Sequence, residues 1–471
     1  PVVVKGAAPR PVVLLRGRAA RGALPIGREA SLGFMQDSAA LLPSISAHDE
    51  ALRGFDPARL LAPAQALVAY FGAAALAPPS RETVALEDAF GRVLAADAEA
   101  AEDHPNHPRS TMDGYAIASA GGTAPRRVAL EILMGVAPAR ALGPGEAFRI
   151  PTGGALPAGA DAVVPQEDVA LAGDEIVMRD ALPAGTNVTQ RADDVRAGET
   201  VLQPGRRIGA PELGVLATLG YGRVEVFRRP RIAIVSTGDE LVDPHTRPAP
   251  GQVRDSNRYA LAGALSAFGA VPVHYPRSAD TLGALRGALR AALDDCDAVV
   301  LTGGSSVGLR DLVPRIVAEL GSPGAIVHGI RVKPGKPTLL GASCGKPVIG
   351  LPGNPTSCLM ILEAVARPIV LALTGERPAA PAPLAAIASA PFVGRAGWTW
   401  YVPARLSFAG GALHAEPLAL RSAHTSLLAR ASGYAILGEG ASTVPAGGVV
   451  AVHRFSSGGA PIEGAARSER A

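Results

Sequence analysis

Lysine is almost absent from this chain of 471 residues: four lysines stand against 41 arginines. Acids nearly balance the bases, leaving a net charge of +3. No arginine-rich face or aromatic-interleaved basic stretch stands out, so no nucleic-acid partner is expected. Cysteine is equally scarce. Cys296, Cys344 and Cys358 are isolated, with no CxxC pair and no neighbouring histidine. That excludes a disulfide framework and a zinc site, and it fits a reducing compartment. The longest apolar stretches, around 291–301 and 358–372, are broken by Asp, Glu, Arg or Pro. None runs unbroken for the roughly 20 residues a membrane helix needs. The expectation is a soluble, cytoplasmic protein without membrane contact. Apolar residues are plentiful at 48%, which excludes wholesale disorder, and the length implies three or four domains rather than one core.

Residues 1–28 carry Lys5, Arg10, Arg16, Arg18, Arg21 and Arg28 and no acid. This is the composition of a targeting segment, or of an extension upstream of a start near Met35. Helical spacing is expected over 57–70 and over 82–94, the latter from Val84, Leu86, Phe90 and Val93. From 99 to 196 short strands punctuated by Gly and Pro predict a β-rich insertion. A helix at 210–218 and a strand at 222–226 follow. Strands and helices then alternate from 231 to 376. That rhythm predicts a mostly parallel sheet covered on both faces, with ligands at the carboxyl ends of its strands. Beyond a Pro/Ala linker lies a short all-β domain, and a Gly/Ser-rich tail ends the chain.

Polar loops follow the strands of the α/β segment. Ser236-Thr237-Gly238-Asp239-Glu240 runs from a strand into two carboxylates. Asp255-Ser256-Asn257 opens a helix with three good cap residues. Gly303-Gly304-Ser305-Ser306-Val307-Gly308 precedes Asp311 and is neither a Walker loop nor a dinucleotide fingerprint. Its glycines let backbone N–H groups approach a phosphate, which favours an oxyanion cradle. Lys333-Pro334-Gly335-Lys336-Pro337 holds half of the chain's lysines in a stiff loop, which points to anion binding. Pro352-Gly353-Asn354-Pro355 opens the last helix of the series and is anion-compatible. Each loop alone reads equally as a capped turn. On one sheet edge, beside Asp239, Glu240, Asp255 and Asp311, they suit a Mg²⁺-assisted phosphoanhydride reaction. Two insertion loops, around Asp113 and Thr152, read as structural by spacing alone.

The strings STMDGYA, PTGGALPAGADAVVPQEDV, STGDEL, DSNRYAL, GGSSVG, KPGKP and LPGNPTS stand here in the order found in the MoeA family, the molybdopterin molybdenumtransferases, and in gephyrin-like E domains. The resemblance spans about 57–455. It implies a multidomain α/β protein: a leader or extension at 1–50, disordered, and a discontinuous helical dimerisation domain at 51–98 and 197–229. A β-rich insertion at 99–196 and a three-layer molybdopterin-binding α/β domain at 230–376 come next, then a C-terminal β domain at 377–456 and a flexible tail at 457–471. It also implies a homodimer whose cleft joins one subunit's α/β domain to the other's insertion.

The implied substrates are adenylated molybdopterin and molybdate, with Mg²⁺ as cofactor and AMP released. A molybdopterin adenylyltransferase is the implied partner. Asp113, Thr152, Glu240, Asp280, Asp311, Lys333 and Lys336 take the catalytic positions, with Glu240 and Asp311 as metal ligands. Asp255, Ser256, Asn257, Gly303, Gly304, Ser305, Ser306, Gly308, Pro352, Gly353, Asn354 and Pro355 take the pterin-binding positions. The chain departs from the family pattern at Gly329, at Pro403, where an arginine is usual although Arg405 is close, and near Leu427, where a serine is usual. Those departures leave a non-catalytic, molybdopterin-binding or scaffolding protein as the alternative.

Overall fold

Four apolar runs, Arg231–Ser236, Val271–His274, Ala298–Thr302 and Lys346–Leu351, pair in parallel and form most of a six-stranded sheet. Its spatial order is 271–274, 231–236, 298–302, 346–351, 339–343, 323–328. The interiors of the central strands, such as 232–235 and 298–301, are apolar because both faces are covered. The helices Asn257–Ala267 and Pro355–Thr374 pack on one face, Leu282–Asp295 and Leu312–Leu320 on the other, giving three layers. The computed structural model describes residues 59–77, 79–303, 312–377, 382–440 and 443–464.

Several sequence expectations are corrected. The run 326–333, which reads as one strand by its apolar residues, is divided between two: Pro323–His328 in the α/β sheet, and Val332–Lys333, which pairs in parallel with Thr399 and Trp400 of the C-terminal sheet. The unexpected strand Leu339–Ser343 forms an antiparallel hairpin with Lys346–Leu351. Pro355–Thr374 is in fact long and apolar enough to cross a membrane, but most of it is buried in the α/β core. A π-turn at Leu362–Ala366 precedes Pro368, whose missing N–H a regular helix would not accommodate.

The helix expected at 82–94 is a strand, Arg81–Ala85, paired antiparallel with Arg223–Phe227, followed by a 3₁₀ turn at Leu86–Asp88. β-branched Thr83 and Val84 suit a strand, and a distant partner overrides the local helical spacing. The helix Pro63–Ala73, expected to belong with residues 197–229, packs Ala66 and Tyr70 into the α/β core instead.

The insertion is a six-stranded sheet in the order 162–165, 114–117, 146–150, 126–131, 175–178, 169–172. In the C-terminal domain five strands close into a barrel. Thr399–Ala409 pairs with both Ala412–Pro417 and Gly433–Leu437, and Leu384–Ala388 and Val449–Arg454 complete the ring. The tail was expected to be loose from 457, but it is held as far as residue 464. The Ser457 hydroxyl donates to Glu363 (2.9 Å), Ala460 N–H donates to Ala431 and Glu463 bridges to Ser407. The leader 1–50 lies outside the described residues.

Candidate functional site

At the carboxyl ends of the parallel strands the chain must leave the sheet, and its polar loops gather there. They line a cleft of about 680 Å³ that includes Glu240, Asp255, Ser256, Asn257, Asp280, Gly303, Gly353, Asn354 and Pro355. Ala423 and Thr425 of the C-terminal domain complete its wall. One side chain ties three of these loops together. The Asn257 amide donates to Thr302 Oγ1 (3.0 Å) and to the Gly353 carbonyl (2.7 Å). Gly303 stands at φ 109°, and a Cβ there would lie 2.3 Å from the Thr237 carbonyl oxygen, so only glycine permits this close crossing. Cys358 lies beneath Thr302 (3.5 Å). Burial pushes its thiol up to about 12, so it packs as an apolar group rather than a nucleophile.

The acidic residues of this cleft are poorly compensated. Asp255 is buried; its Oδ1 accepts from the Arg258 N–H (3.2 Å), while Oδ2 has no hydrogen-bond partner. Asp280 is brought beside Glu240 by a parallel bridge between Thr237 and Ser278. Its Oδ1 is also buried without a partner. Burial, then the nearby charges of Asp239 and Glu240, holds the Asp280 carboxyl above its ordinary range. Buried anionic oxygens without donors are what a hard cation would satisfy.

A second cleft, of about 420 Å³, adjoins the first at Asn354 and has the opposite character. Lys333, Lys336 and Arg395 line it, together with Pro352, Ser357, Ser422, Trp398 and Trp400, and no acid does so among the described residues. The loop carrying the lysines is rigid for identifiable reasons. Thr338 Oγ1 donates to the Gly335 carbonyl (2.6 Å), and Ile330 N–H donates to that of Lys336 (2.9 Å). Gly335, at φ 105°, lies against Ile361 of the core helix. Lys333 Nζ sits 5.7 Å from the centre of the Trp400 ring, a cation–π contact. Arg331 joins Glu439 through two hydrogen bonds of 2.8 and 2.9 Å, fastening this loop to the C-terminal barrel.

The start of the last helix lines both clefts at Asn354 and has a second role. Thr356 N–H donates to the Ser422 carbonyl and its hydroxyl to that of His424 (2.6 Å), so this turn docks the C-terminal domain. In the insertion, the two loops read as structural meet each other. Thr152 donates to Asp113 Oδ1 from its backbone N–H (2.7 Å) and its hydroxyl (2.9 Å), which holds the Asp113 carboxyl below its usual range. Neither residue lines either cleft.

Of the expected site residues, Gly304, Ser305, Ser306, Gly308 and Asp311 lie outside the described residues. Sequence reasoning missed Arg395, Trp398, Trp400 and Ser422. A signal was available: the chain's only two tryptophans fall within three positions of each other, and both face the loop that holds half of its lysines.

Three family models match in succession: the MoeA N-terminal region (domain I and II) over 61–220, a probable molybdopterin binding domain over 233–372, and the MoeA C-terminal region (domain IV) over 385–455. A molybdopterin molybdenumtransferase of Nostoc is 35% identical over 304 residues, covering 62% of this chain and 70% of the relative. Molybdopterin molybdenumtransferase 2 of Mycobacterium tuberculosis is 34% identical over 297 residues, 61% of this chain and 73% of that protein. The crystal structure of the molybdopterin biosynthesis MoeA protein from Pyrococcus horikoshii superposes with a TM-score of 0.69 at 30% identity, covering 85% of this chain and all of the other. With these relatives and this arrangement of clefts, the chain belongs to the MoeA family, the transferases of molybdenum cofactor biosynthesis.

Proposed function

We propose that this protein transfers molybdenum from molybdate to adenylated molybdopterin, with cleavage of the phosphoanhydride and release of AMP. The observation that carries the reading is the pairing of an acidic cleft with a cationic one through Asn354. Lys333, Lys336 and Arg395 offer three positive groups and several donors to a tetrahedral oxyanion, while Ser357 and Ser422 add hydroxyls. The pterin and its phosphates then lie along the strand-end loops, where Asn257 keeps the walls in register. Arg395 supplies a cation from the C-terminal domain despite Pro403, which favours a catalytic over a purely scaffolding role.

Mg²⁺ fits this donor set. Among the described residues no three potential ligands are gathered closely enough to hold a metal alone. Mg²⁺, however, usually takes one or two carboxylates and completes its shell with water and substrate phosphates. Glu240 and Asp280 line the cleft, and the unpartnered Asp280 oxygen supports a cation there; Asp311, outside the described residues, is proposed as a further ligand from the family resemblance alone. The cation would neutralise charge on the phosphoanhydride as the P–O bond breaks. The protein's own residues bind and orient: the lysine loop fixes the oxyanion, and the acidic loops position the adenylated end. Asp113 and Thr152 would reach the cleft from a second copy in a homodimer, in keeping with their place outside both clefts of their own chain. A molybdopterin adenylyltransferase would supply the substrate in the cytoplasm.

The test is to mix purified protein with adenylated molybdopterin, Mg²⁺ and molybdate. Molybdate-dependent AMP release with formation of active cofactor is expected. Tight pterin binding without AMP release would refute the catalytic reading.

A further inference from the structure

Away from both clefts, three segments meet the α/β domain at a small cavity of about 10 Å³. Its lining includes Arg92, Arg207, Arg228 and Arg229, with Gly269 and Thr374 from the α/β domain. Three of the four guanidiniums have acidic partners. Arg92 pairs with Glu82, Arg207 with Glu376, and Arg228 with Asp297 (2.8 Å). Arg229 has no such pair among the described residues, so the cluster carries one uncompensated positive charge.

The donors are also left over. The Arg92 side chain is only 10% exposed, yet its Nε is buried with no acceptor. One of its two terminal nitrogens, Nη2, donates to Glu82 and the Phe227 carbonyl. Arg207 spends its terminal nitrogens on Glu376 and the carbonyls of Gly91 (2.9 Å) and Phe268 (3.0 Å). Burial and the neighbouring charges of Arg92 and Arg207 lower the Arg229 pKa, and the opposing pull of Glu82 does not cancel them.

We propose that this cavity is a binding site for one small inorganic anion of about the size of chloride, hydrogen-bonded by Arg92 and Arg229 beside the already paired Arg207. A buried donor left without an acceptor is costly, more so when charged, so an acceptor is favoured here. The volume is about that of one water-sized particle, which excludes a nucleotide or a pterin. Arg229 keeps part of its surface in solvent and provides the way in. Once seated, the anion joins residues 91–93, 207 and 227–229 to the ends of two α/β-domain helices, at Gly269 and Thr374. It would therefore stiffen the junction between those segments and the domain that bears the clefts.

The test compares thermal unfolding of the full chain in sodium bromide and in sodium gluconate at equal ionic strength, for the wild type and for Arg229→Gln. Binding only to the folded state raises the melting temperature by mass action. The wild type should gain about 2 °C or more from bromide relative to the variant. Because general salt effects act on both proteins alike, the difference between them isolates the site. Crystals grown in bromide should show an anomalous peak among the guanidiniums of Arg92, Arg207 and Arg229. An identical salt response in the two proteins would overturn the proposal, as would a bromide-free cavity holding only water.

Discussion

Replacing Gly335 by alanine tests whether the lysine loop is a rigid device. At φ 105° the backbone is in a region that side chains rarely adopt, which costs about 1–3 kcal/mol for a residue other than glycine. The new Cβ would also stand 2.1 Å from Ile361 Cγ1 and 2.3 Å from its Cδ1, and Ile361 is fully buried. Overpacking of this kind costs about 1–3 kcal/mol more. The expected destabilisation is therefore about 2–6 kcal/mol, a fall of at least about 5 °C in melting temperature. If the loop instead lifts to escape the clash, Lys333 and Lys336 move with it and oxyanion binding weakens. Because the chain's two tryptophans line the same cleft, intrinsic fluorescence during a molybdate titration reads that second outcome directly. Truncating Ile361 to alanine relieves the clash but not the backbone strain, so the double variant should lose less stability than the two singles summed. A Gly335→Ala protein that melts and titrates like the wild type would refute the reasoning.

Other expectations follow from charge and pairing. Asp280→Asn should raise the melting temperature of the metal-free protein near neutral pH, because the Asp280 carboxyl is held above its ordinary range. The sign runs with pH: the penalty is absent below the unfolded value of about 3.9, grows as pH rises through it, and is complete above the folded value, so melts in acid should coincide. Lys336→Ala and Arg395→Ala should each weaken molybdate binding about tenfold, or ~1.4 kcal/mol, with unchanged melting curves. Fluorescence titration and calorimetry check both parts. Glu439→Gln should cost about 1 kcal/mol by breaking the paired contact with half-buried Arg331, and should also lower oxyanion affinity, since the lysine loop loses its tie to the barrel.

Local signals read well where local physics decides structure. Residues 232–235 and 298–301 of the strands Arg231–Ser236 and Ala298–Thr302 are uninterruptedly apolar because both sheet faces are covered, and the sequence shows it. The helix Ala210–Thr218 begins at a glycine followed by proline, a start legible in any context. Legibility fails where a distant partner overrides the local pattern. Arg81–Ala85 is spaced like a helix but pairs with Arg223–Phe227, some 140 positions later. Val332–Lys333 looks like the end of one long strand, yet it joins the barrel rather than the α/β sheet. Asp113 and Thr152 sit in turns of ordinary composition, and only their mutual hydrogen bonds single them out.

The amino-acid order alone determined that polar loops would follow the parallel strands, and lysine scarcity marked one of them as an anion binder. These are properties of short segments, set by burial period, proline and glycine. Tertiary structure decided that the lysine loop would leave from a strand of the barrel, and that the loops would divide into an acidic and a cationic cleft meeting at Asn354. It also decided that Arg395 and two tryptophans from the C-terminal barrel would face the lysines. Those neighbours are brought together by crossover connections and barrel closure, and contacts of that range leave no periodic trace in the chain.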